Sequence, residues 1–300
     1  MNFSIKGVHT AIVTPFDKDG NLDWDSFEKL LDHQAKGKVD GVVISGTTGE
    51  SPTLTVQEKL ALIRKARAYL PESIQVMAGA GSNNTQASVE MAKLAVDAGA
   101  DSLLVVTPPY NKPSLNGLKL HFSSIATATN HPICLYHVPG RTGQLLSAAE
   151  LAELCAIEQV VAVKEASADI SLFSRAERIS QANYLSGDDF TFLGSLAVEG
   201  DGVISVVTNI YPQAFRVLYD AFKAGDNPKA ARIHKALLPA IEVLFYESNP
   251  GPSKAILANK GLCQNYFRAP MVPVSQESYA HIMNVVEDTE RALSDLGVEV

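Results

Sequence analysis

The sequence predicts an α/β protein, a (β/α)8 TIM barrel with a C-terminal helical extension. Short β-branched apolar segments alternate with longer segments of helical period along most of the 300-residue chain. Eight strand segments can be counted, and a closed parallel barrel uses all of them. The first strand segment runs into TPFDKDGN. The alternative is an open doubly wound sheet, which would normally carry a dinucleotide-binding GxGxxG pattern at that position. The pattern is absent there, so the closed barrel is favoured.

The eight predicted strands are apolar segments bounded by glycine, proline or polar residues. Strands that are apolar on both faces are typical of parallel sheets covered by helices. In chain order the segments are HTAIVTPF (9–16), GVVISG (41–46), IQVMAGAG (74–81), SLLVVTP (102–108), PICLYHV (132–138), VVAVKEAS (160–167), NYLSGDD (183–189) and GVISVVT (202–208).

The segments between the strands have apolar residues three and four positions apart and charged residues on the other face. Thr55 and Glu58 form a capping-box pattern, and Gly99 follows a periodic segment, where a glycine that ends a helix is favoured. We therefore predict crossover helices, most clearly over DSFEKLLDHQAKG (25–37), TVQEKLALIRKARAYL (55–70) and TQASVEMAKLAVDAGA (85–100).

After about residue 226 the pattern changes to helices alone. Three helical segments follow, NPKAARIHKALLPAIEVLF, GPSKAILANKG and QESYAHIMNVVEDTERAL. No linker rich in serine, proline or glycine separates them from the barrel, so we expect them to pack against it. The predicted domains are a catalytic barrel over residues 1–225 and a helical extension over residues 226–300.

Charge and composition exclude several function classes. The net charge is −8 and no cluster of lysine and arginine offsets it, so a nucleic-acid partner is not expected. There is no apolar segment of transmembrane length and no secretory pattern, so we expect no membrane partner and a cytoplasmic location. Three widely spaced cysteines suit free buried thiols, and seven scattered histidines form no metal-binding pattern. We expect no metal and no cofactor.

Candidate site residues follow from where the predicted strands end, because a barrel builds its active site at the carboxyl ends of its strands. The second strand ends in GTTGES (46–51), where Thr47, Thr48 and backbone N–H groups between glycines could cradle a carboxylate or phosphate. A flexible turn capped by hydroxyl groups explains the same residues equally well.

Lys164 is a lysine on the apolar sixth strand. Burial would remove water from its amine, and a neutral amine attacks ketones. Alternatively, Lys164 extends into solvent at the strand tip or pairs with an acid such as Glu165. The fifth strand ends in YHVPGRTG, which brings Tyr136 and Arg141 to the same end of the barrel. A tyrosine can carry protons and an arginine can bind a carboxylate, but a core aromatic and a surface charge remain open alternatives.

Tyr110 lies on a stiff loop, TPPYNKP (107–113), which could serve either binding or packing. This loop and five other motifs occur together in one order, and through them the chain resembles the dihydrodipicolinate synthases of the pyruvate-dependent class I aldolase superfamily. The other five are GTTGES (46–51), YHVPGRTG (136–143), VVAVKEAS (160–167), SGDD (186–189) and GVISV (202–206).

This resemblance implies that Lys164 forms a Schiff base with pyruvate and that Tyr136, Thr47 and Tyr110 relay protons. It further implies substrate-binding roles for three residues. Thr48 and the backbone of Ile204 would hold the carboxylate of pyruvate, and Arg141 that of L-aspartate 4-semialdehyde. The family's tyrosine at the position of Tyr110 reaches into a neighbouring subunit, which implies a tight dimer, usually paired into a homotetramer. The implied activity belongs to lysine and diaminopimelate biosynthesis.

An alternative within the superfamily is an aldolase or lyase that acts on a 2-keto-3-deoxy sugar acid or on N-acetylneuraminate. Arg141 argues against it, because such members generally lack the arginine of the RTG motif. A non-catalytic binding protein would be expected to lack Lys164, which is present.

The chain departs from the common family pattern at several positions. His137 stands where an asparagine is usual, and Pro109 replaces the first tyrosine of the TPYYN form. Val56, Lys59 and Ala87 stand where members inhibited by lysine have two histidines and a glutamate. We therefore expect weak or absent feedback inhibition by lysine.

Overall fold

The structure is a computed structural model that describes residues 3–299. Over these residues eight strands form a closed barrel in sequential order, so the predicted (β/α)8 TIM barrel is confirmed. The pairs with described registers are parallel. The strands are β1 (Gly7–Ala11), β2 (Gly41–Ile44), β3 (Gln75–Gly79), β4 (Ser102–Val106), β5 (Ile133–His137), β6 (Val160–Glu165), β7 (Asn183–Ser186) and β8 (Gly202–Ser205).

Twelve α-helices lie within the same described residues. They are α1 (Trp24–Lys36), α2 (Val56–Tyr69), α3 (Thr85–Asp97), α4 (Leu115–Thr129), α5 (Pro139–Thr142), α6 (Ala148–Cys155), α7 (Ile170–Ile179), α8 (Phe192–Ala197), α9 (Pro212–Lys223), α10 (Asn227–Val243), α11 (Gly251–Asn259) and α12 (Gln276–Asp295). The last three are the helices predicted after residue 226. The capping box of Thr55 and Glu58 at the start of α2 is confirmed, as is Gly99 at φ +97° just after α3.

The first strand differs from its prediction, because β1 ends at Ala11 whereas the apolar segment continues to Phe16. Residues 12–16 are buried without continuing the strand. The Val13 N–H donates to the side chain of Asn209 at 3.0 Å, and the Thr14 hydroxyl donates to the Gly49 carbonyl at 2.7 Å. Side chains and loops can satisfy buried backbone as well as a sheet does, so an apolar run alone overstates the strand length.

The chain divides into two compact units. Within the described residues, the first comprises residues 3–7, Leu60–Arg67 and Gln75–Ile204, and holds β3 to β7 with most of β8. The second comprises Val8–Lys59, Ala68–Ile74 and residues 205–299. In the second unit α10 packs against α9 and α12.

The register of β5 against β6 positions the candidate site in the first unit. Tyr136 is paired with Lys164, and His137 is paired with Glu165. Because successive strand residues point to opposite faces of a sheet, the first pair shares one face and the second pair shares the other.

Among residues 3–299, no helix combines the length and apolar character needed to span a membrane. Cys134, Cys155 and Cys263 are free thiols, as the sequence predicts. The prediction that all three are buried is wrong for Cys155, which is half-buried.

Candidate active site

Lys164 is a buried amine near the end of β6. The residue is 5% exposed, and its Nζ lies 4.3 Å from the centroid of the Tyr136 ring. Within residues 3–299 no carboxylate forms a salt bridge with it. The alternative of a pair with Glu165 is wrong, because that carboxylate accepts a hydrogen bond from His137 instead. An amine that no acid engages is available to attack a carbonyl carbon.

The walls around Lys164 are close and apolar. A Cβ atom on Gly187 would lie 2.8 Å from Lys164 Cγ and 2.8 Å from Ala166 Cβ, so only a glycine fits there without displacement. Burial raises the pKa of the Cys134 thiol to about 12 although the nearby Lys164 charge opposes the rise. Cys134 therefore stays a thiol at neutral pH and does not compete with Lys164 as a nucleophile.

Tyr136 lies directly beside Lys164. It is 7% exposed on β5, where its backbone pairs with Lys164 on one side and with Val106 of β4 on the other. A phenol group held near the amine has the chemistry needed to carry a proton to and from it. Lys164 and Tyr136 thus lie close together, as the ends of the fifth and sixth predicted strands indicate.

Arg141 lies on the one-turn helix α5, directly after β5. Pro139 begins this turn and Gly143, at φ +69°, ends it. The Arg141 N–H donates to the Val138 carbonyl at 2.9 Å, and the Thr142 hydroxyl donates to the same carbonyl at 3.1 Å. The side chain of Arg141 is exposed, and no carboxylate of the described residues pairs with it. Its guanidinium can therefore donate hydrogen bonds to a substrate carboxylate.

Tyr110 projects from the loop that follows β4. It is 91% exposed, and its φ of +72° is a conformation that non-glycine residues rarely adopt. The neighbouring Asn111 side chain donates to the Asn83 carbonyl at 2.9 Å, which fixes the loop next to Tyr110. The alternative that Tyr110 packs into the core of its own chain is wrong, because the residue is almost fully exposed there.

The GTTGES loop belongs to the second unit and is held in place by tight turns. The Gly49 N–H donates to the Gly46 carbonyl and the Glu50 N–H donates to the Thr47 carbonyl, each at 3.1 Å. Thr48 is buried, and its Oγ1 accepts a hydrogen bond from Asn249 Nδ2 at 2.9 Å. Because Oγ1 is already an acceptor, the Thr48 hydroxyl hydrogen remains to be donated to an anion.

A buried ion pair supports this loop, and sequence reasoning missed it. Lys254 Nζ lies 2.5 Å from Glu50 Oε1 and 2.8 Å from the Tyr266 carbonyl, and both charged side chains are fully buried. The amine also lies 4.4 Å from the ring centroid of Phe16 and 4.6 Å from that of Phe267. A lysine within the apolar stretch of GPSKAILANKG was the available signal, because an unpaired lysine is rarely buried.

Ile204 is fully buried on β8, where only its backbone is a candidate for ligand binding. No group of three or more histidine, cysteine, aspartate or glutamate side chains between residues 3 and 299 is arranged to hold a metal ion.

The chain is similar to known proteins in both sequence and structure. The model of the Dihydrodipicolinate synthetase family matches residues 4–289. A protein of Moorella thermoacetica named 4-hydroxy-tetrahydrodipicolinate synthase is 42% identical over 282 residues, which are 93% of this chain and 97% of that protein.

Two solved structures are also similar to this chain. One, described as the first monomeric dihydrodipicolinate synthase variant, has a TM-score of 0.93 and 37% identity, and covers 95% of this chain and 97% of its own. The other is the chloride-inhibited dihydrodipicolinate synthase of Acinetobacter baumannii complexed with pyruvate. Its TM-score is 0.93 and its identity 36%, and the match covers 95% of this chain and 99% of that one.

Proposed function

Because the chain belongs to the dihydrodipicolinate synthetase family, we propose that it condenses pyruvate with L-aspartate 4-semialdehyde through a Schiff base on Lys164. The product is 4-hydroxy-tetrahydrodipicolinate, the compound after which the Moorella thermoacetica relative is named. The observation that carries this proposal is a buried lysine amine, free of any salt bridge in the described residues and 4.3 Å from a tyrosine ring.

The chemistry begins when Lys164 Nζ adds to the ketone carbon of pyruvate. Water leaves, and the resulting iminium nitrogen withdraws electrons from the neighbouring methyl group. Tyr136 acts as the proton carrier for these steps, with Thr47 and Tyr110 as further members of the relay. Loss of a methyl proton gives an enamine, which is the carbon nucleophile.

The enamine carbon then attacks the aldehyde carbon of L-aspartate 4-semialdehyde. A carbon–carbon bond forms, and the aldehyde oxygen takes up a proton to become a hydroxyl group. The amine of the second substrate next attacks the imine carbon, which closes a six-membered ring and releases the amine of Lys164. The cycle is redox-neutral and returns the free lysine.

Two carboxylate positions complete the proposal. Thr48 and the backbone of Ile204 bind the carboxylate of pyruvate, and the free hydroxyl hydrogen of Thr48 supports the first part of this assignment. Arg141 binds the carboxylate of L-aspartate 4-semialdehyde, and its exposed guanidinium supports the second. A bidentate pair of this kind is charge-assisted and specific for a planar carboxylate.

We also propose that the enzyme is a homotetramer, a dimer of dimers, in which Tyr110 acts in the site of a neighbouring subunit. The 91% exposure of Tyr110 supports this role, because such a ring has no core to cover in its own chain. Light scattering of the purified protein measures its mass, and a monomer that is fully active would overturn the proposal. We place the enzyme in the cytoplasm, a reducing compartment that suits its three free thiols.

A substrate panel tests the proposed reaction. Pyruvate is supplied with L-aspartate 4-semialdehyde or with the aldehydes that sugar-acid aldolases use, and N-acetylneuraminate is supplied for cleavage. We expect rapid turnover with L-aspartate 4-semialdehyde and at least about a hundredfold lower kcat/KM for the others, since loss of the Arg141 contact costs about 3 kcal/mol. Preference for a sugar acid would replace this function with that of an aldolase.

A further inference from the structure

His137 and Glu165 form a second pair on β5 and β6, on the face opposite Tyr136 and Lys164. Their side chains are fully buried, and His137 Nδ1 lies 2.8 Å from Glu165 Oε1. The pair is therefore one residue away from the candidate catalytic residues on each strand, yet it points away from them.

The hydrogen bonds around this pair define where its proton lies. The backbone N–H of Leu146 donates to His137 Nε2 at 3.0 Å, so Nε2 carries no proton. Nδ1 is then the protonated nitrogen and donates to Glu165. Glu165 also accepts hydrogen bonds from the Ser167 N–H at 3.0 Å and the Ser167 hydroxyl at 2.9 Å. His137 thus directs its donor toward Glu165 and its acceptor toward the Leu146 N–H.

The acceptor, His137 Nε2, anchors the segment that carries Arg141 through a hydrogen bond. Residues 139–146 follow β5 after Val138. At the far end of this segment, the Leu146 N–H donates a hydrogen bond back to the side chain of His137 on β5. Leu146 is itself buried, so its N–H would lose its partner without access to water if the imidazole were removed. Both ends of the arginine segment are therefore fixed to β5, one by the chain and one by His137.

We propose that His137 is a positioning residue for the second substrate. It holds residues 139–146, and thereby Arg141, in the geometry that binds a carboxylate on L-aspartate 4-semialdehyde. The inference rests on the proposed function for the role of Arg141. It assigns His137 no contact with substrate and no part in forming the pyruvate imine.

Three substitutions of His137 separate its two hydrogen bonds. His137→Phe keeps a ring and removes both bonds. His137→Gln can place an acceptor near the position of Nε2, whereas His137→Asn can place a donor near the position of Nδ1 but does not reach Leu146. We expect KM for L-aspartate 4-semialdehyde to rise about tenfold in the phenylalanine and asparagine variants, the factor that 1.4 kcal/mol represents.

The glutamine variant should keep this KM within about threefold of the wild-type value, because it retains the acceptor for the Leu146 N–H. The rate at which borohydride traps the pyruvate imine should stay within about twofold in all three variants, because the substitutions leave Lys164 and Tyr136 in register. A loss of imine trapping equal to the loss of second-substrate binding, or no rescue by glutamine, would overturn the inference.

Arg141→Ala, alone and combined with His137→Phe, distinguishes this inference from the proposed function. If His137 acts through Arg141, the double variant has the KM of the arginine variant alone, since the two residues belong to one coupled unit. Additive effects would contradict that. If Arg141→Ala leaves KM for L-aspartate 4-semialdehyde unchanged, the assigned role of Arg141 is wrong and the inference falls with it. If only the arginine variant raises KM, the inference alone fails.

Discussion

At the scale of single residues, the position of the Lys164 side chain depends on a glycine of the next strand end. The space that a Cβ atom on Gly187 would need is occupied by Lys164 Cγ and by Ala166 Cβ, each 2.8 Å away. Atoms this close cannot coexist, so a larger residue would push the lysine side chain out of its present path. Placement errors of about 1 Å reduce catalysis by roughly a hundredfold.

Gly187→Ala should therefore lower kcat by about tenfold to a hundredfold while the protein remains folded. The matched control is Gly194→Ala on α8, where the added atom meets only the flexible Ile170 side chain at 3.3 Å. Steady-state kinetics and circular dichroism on both variants measure the effect. Equal activity of the two would show that Lys164 tolerates a shift, contrary to the geometry described above.

The sequence predicts that Lys164 and Tyr136 lie close together, because each residue is near the carboxyl end of an apolar strand and the two strands are neighbours in the barrel. Alternation along β6 already points Glu165 away from Lys164, but it does not predict that Glu165 pairs with His137. That pairing depends on the register of β5 against β6, which includes an irregularity between Ile133 and Cys134. Strand periodicity alone does not contain such a shift.

At the scale of secondary-structure elements, the start of α2 combines a helix cap with an ion pair. Glu58 accepts hydrogen bonds from the Thr55 N–H and hydroxyl, and its carboxylate also pairs with Arg268 at 2.5 Å. The Arg268 hydrogen bonds are the main reason that the pKa of Glu58 falls from 4.5 to about 2. The sequence predicts the capping box, but it does not predict that Arg268, which is distant in the sequence, pairs with Glu58.

This lowered pKa fixes the direction of a pH effect. The unfolded state binds the proton of Glu58 more tightly than the folded state, so the stabilisation is present above about pH 4.5 and is lost as the pH falls toward about 2. In Glu58→Gln the thermal midpoint should be lower than in the wild type at pH 6, and the difference should shrink below pH 4.5. The partly exposed position makes the effect modest, about 1 kcal/mol or less.

Glu287→Gln on α12 is the control for this measurement, because Glu287 is exposed and forms no ion pair with any described residue. Its thermal midpoint should follow that of the wild type at every pH. A difference between Glu58→Gln and the wild type that persists unchanged at pH 2 would assign the effect to something other than the ionised carboxylate.

At the scale of the whole molecule, the sequence is sufficient for the fold class, the number of strands and the three helices after residue 226. These follow from periodicities that extend over many residues. The division into domains at residue 225 stays a prediction. Two interactions that hold the GTTGES loop were not predicted, because each joins residues of the second unit that are distant in the sequence. They are the hydrogen bond of Asn249 with Thr48 and the ion pair of Lys254 with Glu50. Such pairs depend on tertiary contacts rather than on local pattern.

Two lysines, Lys164 and Lys254, are buried, and they differ in the groups that contact them. Lys254 is engaged by Glu50 and by the Tyr266 carbonyl, and removing one partner of a buried pair is typically costly to stability. Lys164 has no acid partner among the described residues and lies beside Tyr136. Both lysines are buried, and the difference in their partners supports a structural role for Lys254 and the proposed chemical role for Lys164.

Reductive trapping of the pyruvate imine tests the Schiff-base mechanism most directly. The purified protein is incubated with pyruvate, reduced with borohydride and digested, and the peptides are mapped by mass spectrometry, with a sample lacking pyruvate and a Lys164→Arg variant as controls. Reduction converts an imine into a stable secondary amine on the lysine that formed it. We expect one pyruvate-derived adduct, on Lys164, that is absent from both controls. An adduct on Lys254 or another lysine, or no adduct in an active preparation, would contradict the Schiff-base mechanism.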